Sequence, residues 1–247
     1  MRLYALELGQ IDMDHRVIMP AGPPDIRITI PVPGYLIQTG DQTILIDSGM
    51  PRDILDGTTA ISPLMVPLGG AGAHVTARLA ALGIAPADLT KIVATHFHFD
   101  HGGGLRDLPG VPIVAQRAAV EAARAGRPGE QAIVNAPGLQ WEVIEGDVEL
   151  APGVRLLLTE GHAHGHQSVL VETPNDGTFL LAIDAIYSRA QLAADDWGAY
   201  IDQEAARASA RRVQELAAAT GATLIYGHDA AQWAGLRHAP EWYGIAP

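Results

Sequence analysis

The sequence predicts an α/β protein in which mixed β-sheets are covered by helices. Three observations carry that expectation. Short apolar runs bounded by Gly, Pro, Asn or Asp recur along the chain, helical patterns interleave with them only partly, and no linker, repeat or low-complexity tract divides the 247 residues. The chain is 48% apolar and 18% charged, which suits a sizeable buried core and excludes disordered and fibrous classes. One domain spanning residues 1–247 is therefore expected.

Taken in order, the first sheet signal is the pair of apolar stretches 28–38 and 42–47, split by Gly40 and Asp41, which reads as a hairpin. Residues 50–72 are rich in Gly and Pro without a clean period and read as a long surface loop, of a kind that is often functional. A helical pattern over 73–82 ends at Gly83, and strand candidates follow near 91–95 and 112–115. A second helix over 116–125 stops at Gly126. Further strands are expected near 154–158, 167–172 and 178–183. Asp202 can cap a helix over 202–219 that sets Val213, Leu216 and Ala217 on one side before Gly221, and a last strand lies near 223–226.

Composition narrows the function. The net charge is −12 and the 16 Lys and Arg are scattered, so nucleic acid and anionic membrane are not expected partners. The chain has no cysteine, which removes disulfides, thiol nucleophiles and zinc thiolates together. Any metal site must then be built from His and carboxylate. The N-terminal run carries an acid, no signal peptide is evident, and no stretch approaches ~20 uninterrupted apolar residues, so a cytoplasmic protein is expected.

The residues that carry chemistry stand at strand ends. Thr95-His96-Phe97-His98-Phe99-Asp100-His101 follows an apolar strand and runs into three glycines. His96 and His98 are two apart, so an extended backbone points them the same way, while Asp100 and His101 sit where the chain turns toward a helix. One loop thus offers two sets of metal ligands. A second cluster, His162-Ala163-His164-Gly165-His166, precedes a strand; Asp184 and His228 each end one. His15, His74 and His238 have no such context and are expected to be structural.

This series, His-x-His-x-Asp-His, then Gly-His, an Asp after an apolar strand and a final Gly-His, resembles the metallo-β-lactamase superfamily, whose fold is a four-layer αββα sandwich. Within it the chain is most similar to the quorum-quenching N-acyl homoserine lactonases, through His98-Phe99-Asp100-His101, Gly165-His166-Gln167-Ser168, Asp184-Ala185-Ile186-Tyr187 and Gly227-His228-Asp229. The resemblance implies two divalent metal ions, zinc first, with iron, cobalt or manganese as alternatives. It implies that His96, His98 and His162 hold one, that Asp100, His101 and His228 hold the other, and that Asp184 bridges them. Asp47-Ser48-Gly49 resembles the family's supporting turn. Where relatives read Pro-Gly-His-x-Pro-Gly-His, this chain lacks both prolines and carries the extra His164; His162 keeps the ligand's spacing from Asp184, and His166 falls to a supporting role.

The implied reaction is opening of the lactone ring of an N-acyl homoserine lactone by a hydroxide shared between the metals. Tyr187 would hydrogen-bond the carbonyl and Asp100 would pass a proton to the leaving alkoxide. Other hydrolases of the superfamily are the alternatives, among them a 4-pyridoxolactonase-like lactonase, a glyoxalase II-like thioesterase and a phosphodiesterase. A dinuclear-iron redox protein is a further class, although it typically carries Glu where His98 stands. Phe97 and Phe99 would face away from the ligands, with core packing expected for at least one. Ile61, Leu64, Met65, Val66 and Leu68 are candidates to line an acyl-chain pocket.

Overall fold

The computed structural model describes residues 1–245. Two sheets form its centre, one of eight strands and one of five. The first begins with β1 (Arg2–Asp14), which pairs antiparallel with β2 (Arg27–Thr39). β3 (Gln42–Ile46) closes the expected hairpin with β2, matching Thr39 to Gln42 around the Gly40 turn. β4 (Met65–Leu68) pairs with β1 on its other side. The sheet then continues in parallel from β3 through β5 (Lys91–Val93), β6 (Pro112–Gln116) and β7 (Gln140–Ile144).

The second sheet holds β8 (Val148–Ala151), β9 (Val154–Leu158), β10 (Gln167–Thr173), β11 (Gly177–Ile183) and β12 (Thr223–Tyr226). Neighbours are antiparallel except β11 and β12, which run parallel. A short β13 (Tyr243–Gly244) returns to the free edge of β1.

Alternation along the strands builds two cores. Leu3, Tyr35, Ile37, Ile44, Ile46 and Val93 of the first sheet share a buried cluster with Val154, Leu156, Val169, Leu181 and Ile225 of the second. Their neighbours in sequence, such as Leu36, Leu45 and Ile92 on one sheet and Leu170 and Leu180 on the other, join the cluster formed with the helices. The helix Val75–Ala81 contributes Val75 and Leu79, and the helix Gln203–Thr220 contributes Ala206, Ala210, Val213 and Ala217. The result is helices, sheet, sheet, helices.

The longest helix starts where Asp202 accepts from the Glu204 and Ala205 N–H groups at 3.0 Å and ends at left-handed Gly221. Residues 50–72 are not one long loop. They hold the helix Arg52–Leu55, β4 and a 3-10 turn at Gly70–Ala73, and β4 is fastened to β1 by backbone pairing that has no local periodicity. The strand read near 91–95 stops at Val93, because the next residues leave the sheet to bring their imidazoles together. Among the described residues no helix is long and apolar enough to cross a membrane.

Candidate metal centre

Strand direction brings the ligands to one edge. β3 and β5 are parallel, so Asp47 and the segment 95–101 leave at the same end. β11 and β12 are also parallel, which sets Asp184 beside His228, and β10 runs opposite to β11, so its preceding loop with His162 arrives there too. Gln167 joins the two sheets at this edge: its N–H donates to the Thr95 carbonyl at 3.2 Å and its Nε2 to the Ala94 carbonyl at 2.9 Å. The local backbone is forced. Ile183, a β-branched residue, has φ 52°, and Asp47 has φ 58°, conformations that cost about 1–3 kcal/mol each and are held by the surrounding pairing. Gly227 and Gly161 permit close approach, since a Cβ would strike the Ile183 carbonyl at the first and the Ala206 backbone at the second.

The side chains form two groups. Nε2 of His162 lies 3.1 Å from Nε2 of His96, 2.9 Å from Nδ1 of His98 and 3.2 Å from Oδ2 of Asp184. The ligand atoms of these four residues lie within 4.8 Å of one another, and so do those of Asp100, His101 and His228. The other Asp184 oxygen, Oδ1, lies 3.3 Å from Nε2 of His101 and 3.2 Å from Nε2 of His228. Asp184 therefore offers one oxygen to each group. Oδ2 of Asp100 stands 3.8 Å from His101 Nε2 and 3.9 Å from His228 Nε2.

On four of the imidazoles the outward ring nitrogen has a partner, which directs the other nitrogen inward. His228 donates from Nδ1 to the Pro31 carbonyl at 2.8 Å, and His101 from Nδ1 to Oδ2 of Asp47 at 2.8 Å. Asp47 also accepts from the Thr95 N–H and hydroxyl, at 2.9 and 2.8 Å, so the Thr95 oxygen is left to accept from Nδ1 of His96 at 3.1 Å. Nδ1 of His162 is hydrogen-bonded with the Tyr187 hydroxyl at 3.0 Å. His101 Nε2 and Asp184 Oδ1 are buried without a hydrogen-bond partner, although they are close to each other. Both atoms point into the same buried space as the other donor atoms, and this donor set fits divalent cations.

Charge follows the same pattern. Burial, reinforced by neighbouring imidazoles, holds His96 well below the usual imidazole range, and burial holds His98 and His162 down as well. Burial also pushes His101 and His228 down, but Asp184 and Asp100 outweigh it and raise both. Burial would raise Asp184; the facing imidazoles of His228, His101 and His162 outweigh that and hold its carboxyl well below the usual range.

The metallo-β-lactamase superfamily model matches residues 29–228. The chain belongs to that superfamily. It is 34% identical to the N-acyl homoserine lactonase of Bacillus cereus and 33% identical to the N-acyl homoserine lactonase AiiA of Bacillus thuringiensis subsp. kurstaki, each comparison covering 98% of both chains. A solved structure of an N-acyl homoserine lactone hydrolase with the product N-hexanoyl-L-homoserine at its catalytic metal centre superposes with a TM-score of 0.90 at 34% identity, again over 98% of each chain.

With the superfamily sandwich in place, the remaining residues can be located. His166 is buried and stands behind the ligands: its Nδ1 faces the Thr159 hydroxyl and carbonyl at 2.9 and 3.0 Å, while its Nε2 accepts from the Asp184 N–H at 3.1 Å. His164, the extra imidazole, is exposed. His74 caps a helix and faces Asp107 at 3.1 Å, and His238 packs on Trp233 with ring centres 4.7 Å apart. Phe97 is buried against Trp141, whereas Phe99 is half-buried and lines the cavity over the ligands.

That cavity holds about 420 Å³ and reaches His98, Asp100, His162, Asp184, Tyr187 and His228. Ile61 and Met65 line it, while Leu64, Val66 and Leu68 are exposed, so the alternation of β4 divides the expected acyl-pocket residues into two sets. Sequence reasoning missed Tyr200, whose ring packs 4.9 Å from Tyr187 and 5.4 Å from His162, and the Pro31 carbonyl behind His228. Neither carries a local signal: one is an aromatic in an irregular stretch and the other a backbone atom.

Proposed function

We propose that this chain hydrolyses the lactone ring of N-acyl homoserine lactones. The observation that carries the reading is Asp184 with an oxygen toward each of two imidazole-rich groups, on a chain similar over its length to enzymes named for that activity. His96, His98 and His162 would hold one cation and Asp100, His101 and His228 the other, with one oxygen of Asp184 available to each group. An all-imidazole and carboxylate set suits zinc first, with iron, cobalt or manganese compatible. Divalent cations bound there supply Lewis acidity and a water nucleophile at neutral pH.

The protein's own groups do the rest. Tyr187 accepts a hydrogen bond from Nδ1 of His162 and so keeps its own hydroxyl hydrogen to donate to the lactone carbonyl oxygen as negative charge builds on it. Burial, aided by the Asp184 and Asp100 charges, holds that phenol well above its usual range and therefore protonated. Asp100, at the cavity wall and 8% exposed, would take the proton that the attacking water gives up and pass it to the ring oxygen as the ester C–O bond breaks. Water is thereby added across the ester, giving a carboxylate and a free hydroxyl in the N-acyl homoserine product. A panel of lactones, thioesters and phosphodiesters on metal-loaded protein tests the reading. Efficient opening of homoserine lactones is expected; their inertness beside rapid cleavage of S-lactoylglutathione would overturn it.

A further inference from the structure

Three rings pack against Tyr187. His162 stands 5.4 Å from it edge-on, His228 5.7 Å away, and Tyr200 4.9 Å away with the planes tilted by 50°. Of the three, Tyr200 is the one that is no candidate ligand. It also packs edge-on against His162 with ring centres 5.4 Å apart, and so touches both partners of the hydrogen bond between Tyr187 and His162. Its hydroxyl is buried and has no hydrogen-bond partner among the described residues, and the cavity wall is made by its sequence neighbours Ala199 and Ile201 instead. The segment that carries Tyr200 is pinned at several points. Asp195, left-handed at φ 52°, accepts from the Trp197 indole N–H and from the Arg207 guanidinium at 3.1 Å. Asp196 accepts from the Ala21 N–H at 2.9 Å, and the Tyr200 N–H donates to the Trp197 carbonyl at 3.0 Å. The buried Trp197 ring packs 5.2 Å from Tyr200, and the Asp202 N–H donates to the Gly161 carbonyl at 3.0 Å, next to His162.

Resting on the lactonase reading, we propose that Tyr200 is a positioning residue, whose ring holds the Tyr187 phenol and the His162 imidazole in register so that the phenol hydrogen meets the developing oxyanion. The ring carries this role and the hydroxyl does not, because a buried hydroxyl without a partner gives no direction to either neighbour. A donor displaced by about 1 Å from its productive geometry can cost about a hundredfold in rate. The loss falls on kcat, since the hydrogen bond from Tyr187 strengthens only as charge builds on the carbonyl oxygen.

Tyr200→Leu removes the ring. Turnover of N-acyl homoserine lactones should fall about tenfold to a hundredfold in kcat, the loss expected of Tyr187→Phe itself, with KM and metal content at the wild-type values. Tyr200→Phe keeps the ring and should recover kcat to within about twofold of wild type. In a Tyr187→Phe background Tyr200→Leu should cost nothing further, since the donor it positions is already gone. Ring-labelled tyrosine gives a readout without substrate. With zinc bound, the two sides of the Tyr187 ring, assigned by comparison with Tyr187→Phe, should give separate NMR signals in the wild type and in Tyr200→Phe and merge in Tyr200→Leu. If Tyr200→Leu fails to fold by circular dichroism, Tyr200→Met carries the same tests, and merged Tyr187 signals in the wild type would by themselves overturn the proposal. So would losses that multiply in the double variant, a Tyr200→Phe as slow as Tyr200→Leu, or a loss that follows metal content. A wild type that opens no homoserine lactone, yet shows separate Tyr187 signals that Tyr200→Leu merges, refutes the lactonase reading and leaves the positioning role standing.

Discussion

The hydroxyl of Tyr187 and Nδ1 of His162 stand 3.0 Å apart, so a single hydrogen bond ties the imidazole row to the phenol in the cavity wall. With Nε2 of His162 bare toward the cluster, Nδ1 carries the ring hydrogen and donates it in a hydrogen bond to the phenol oxygen, which leaves the phenol hydrogen free for the cavity. Tyr187→Phe should lower turnover of homoserine lactones by about tenfold to a hundredfold, less than a fully engaged oxyanion donor because a Lewis acid shares the load. Metal content, measured by elemental analysis in metal-replete buffer, should stay at the wild-type value.

Asp184 serves both groups, and its replacement should fail at both. Wild-type protein grown with added zinc is expected to hold two metals per chain. Asp184→Asn should lose metal from each group and nearly all activity, because a neutral amide presents one weak acceptor where a carboxylate presented two charged oxygens. A variant that retains both metals would remove Asp184 from the centre.

Asp47 reaches no substrate, but it fixes His101 directly and His96 through Thr95. Asp47→Asn keeps the size and tolerates φ 58°, yet one of its two accepting oxygens becomes a donor. Metal affinity, read by competition with a chelator, should fall about tenfold to a hundredfold while the far-ultraviolet spectrum is unchanged.

His166→Ala separates support from ligation. The imidazole is fully buried, burial pushes it down to about 4, and it links Thr159 to the Asp184 backbone. Its loss should cost about 2–4 kcal/mol in denaturant unfolding by leaving those groups unpaired. Metal stoichiometry should persist. Loss of metal in His164→Ala, an exposed position, would instead show that the loop is registered differently.

Removing the cations should destabilise the fold, because the buried His101 Nε2 and Asp184 Oδ1 are then left without a partner. With free metal at about a hundred times its dissociation constant the stabilisation is about 2.7 kcal/mol for each site, so two sites give about 5.4 kcal/mol, and for a chain of this size that is a Tm shift of about 10–20 °C. A chelator should lower Tm by that amount and zinc should restore it.

The sequence by itself determined many of the elements and the candidate ligands, though not the strands Arg2–Asp14, Gln140–Ile144 and Val148–Ala151. The hairpin around Gly40, the helix capped by Asp202 and the short apolar strands are written in local periodicity and turn residues, which act over a few neighbours. The candidate ligands were legible for a similar reason: with no cysteine, His and Asp packed at strand ends leave metal binding as their evident use. β4 was not legible, because Pro67 breaks its pattern and its only partner, β1, lies more than fifty residues away.

Only the tertiary structure decided which atoms face which. His228 takes its orientation from a carbonyl 197 residues distant, Asp184 divides its oxygens between two groups through the left-handed turn at Ile183, and Arg127 and Ile201, distant in sequence, line the same cavity. Local propensity cannot encode such relations. They follow from the parallel and antiparallel pairing of strands distant in sequence, which alone fixes the edge where loops converge and the space left between them.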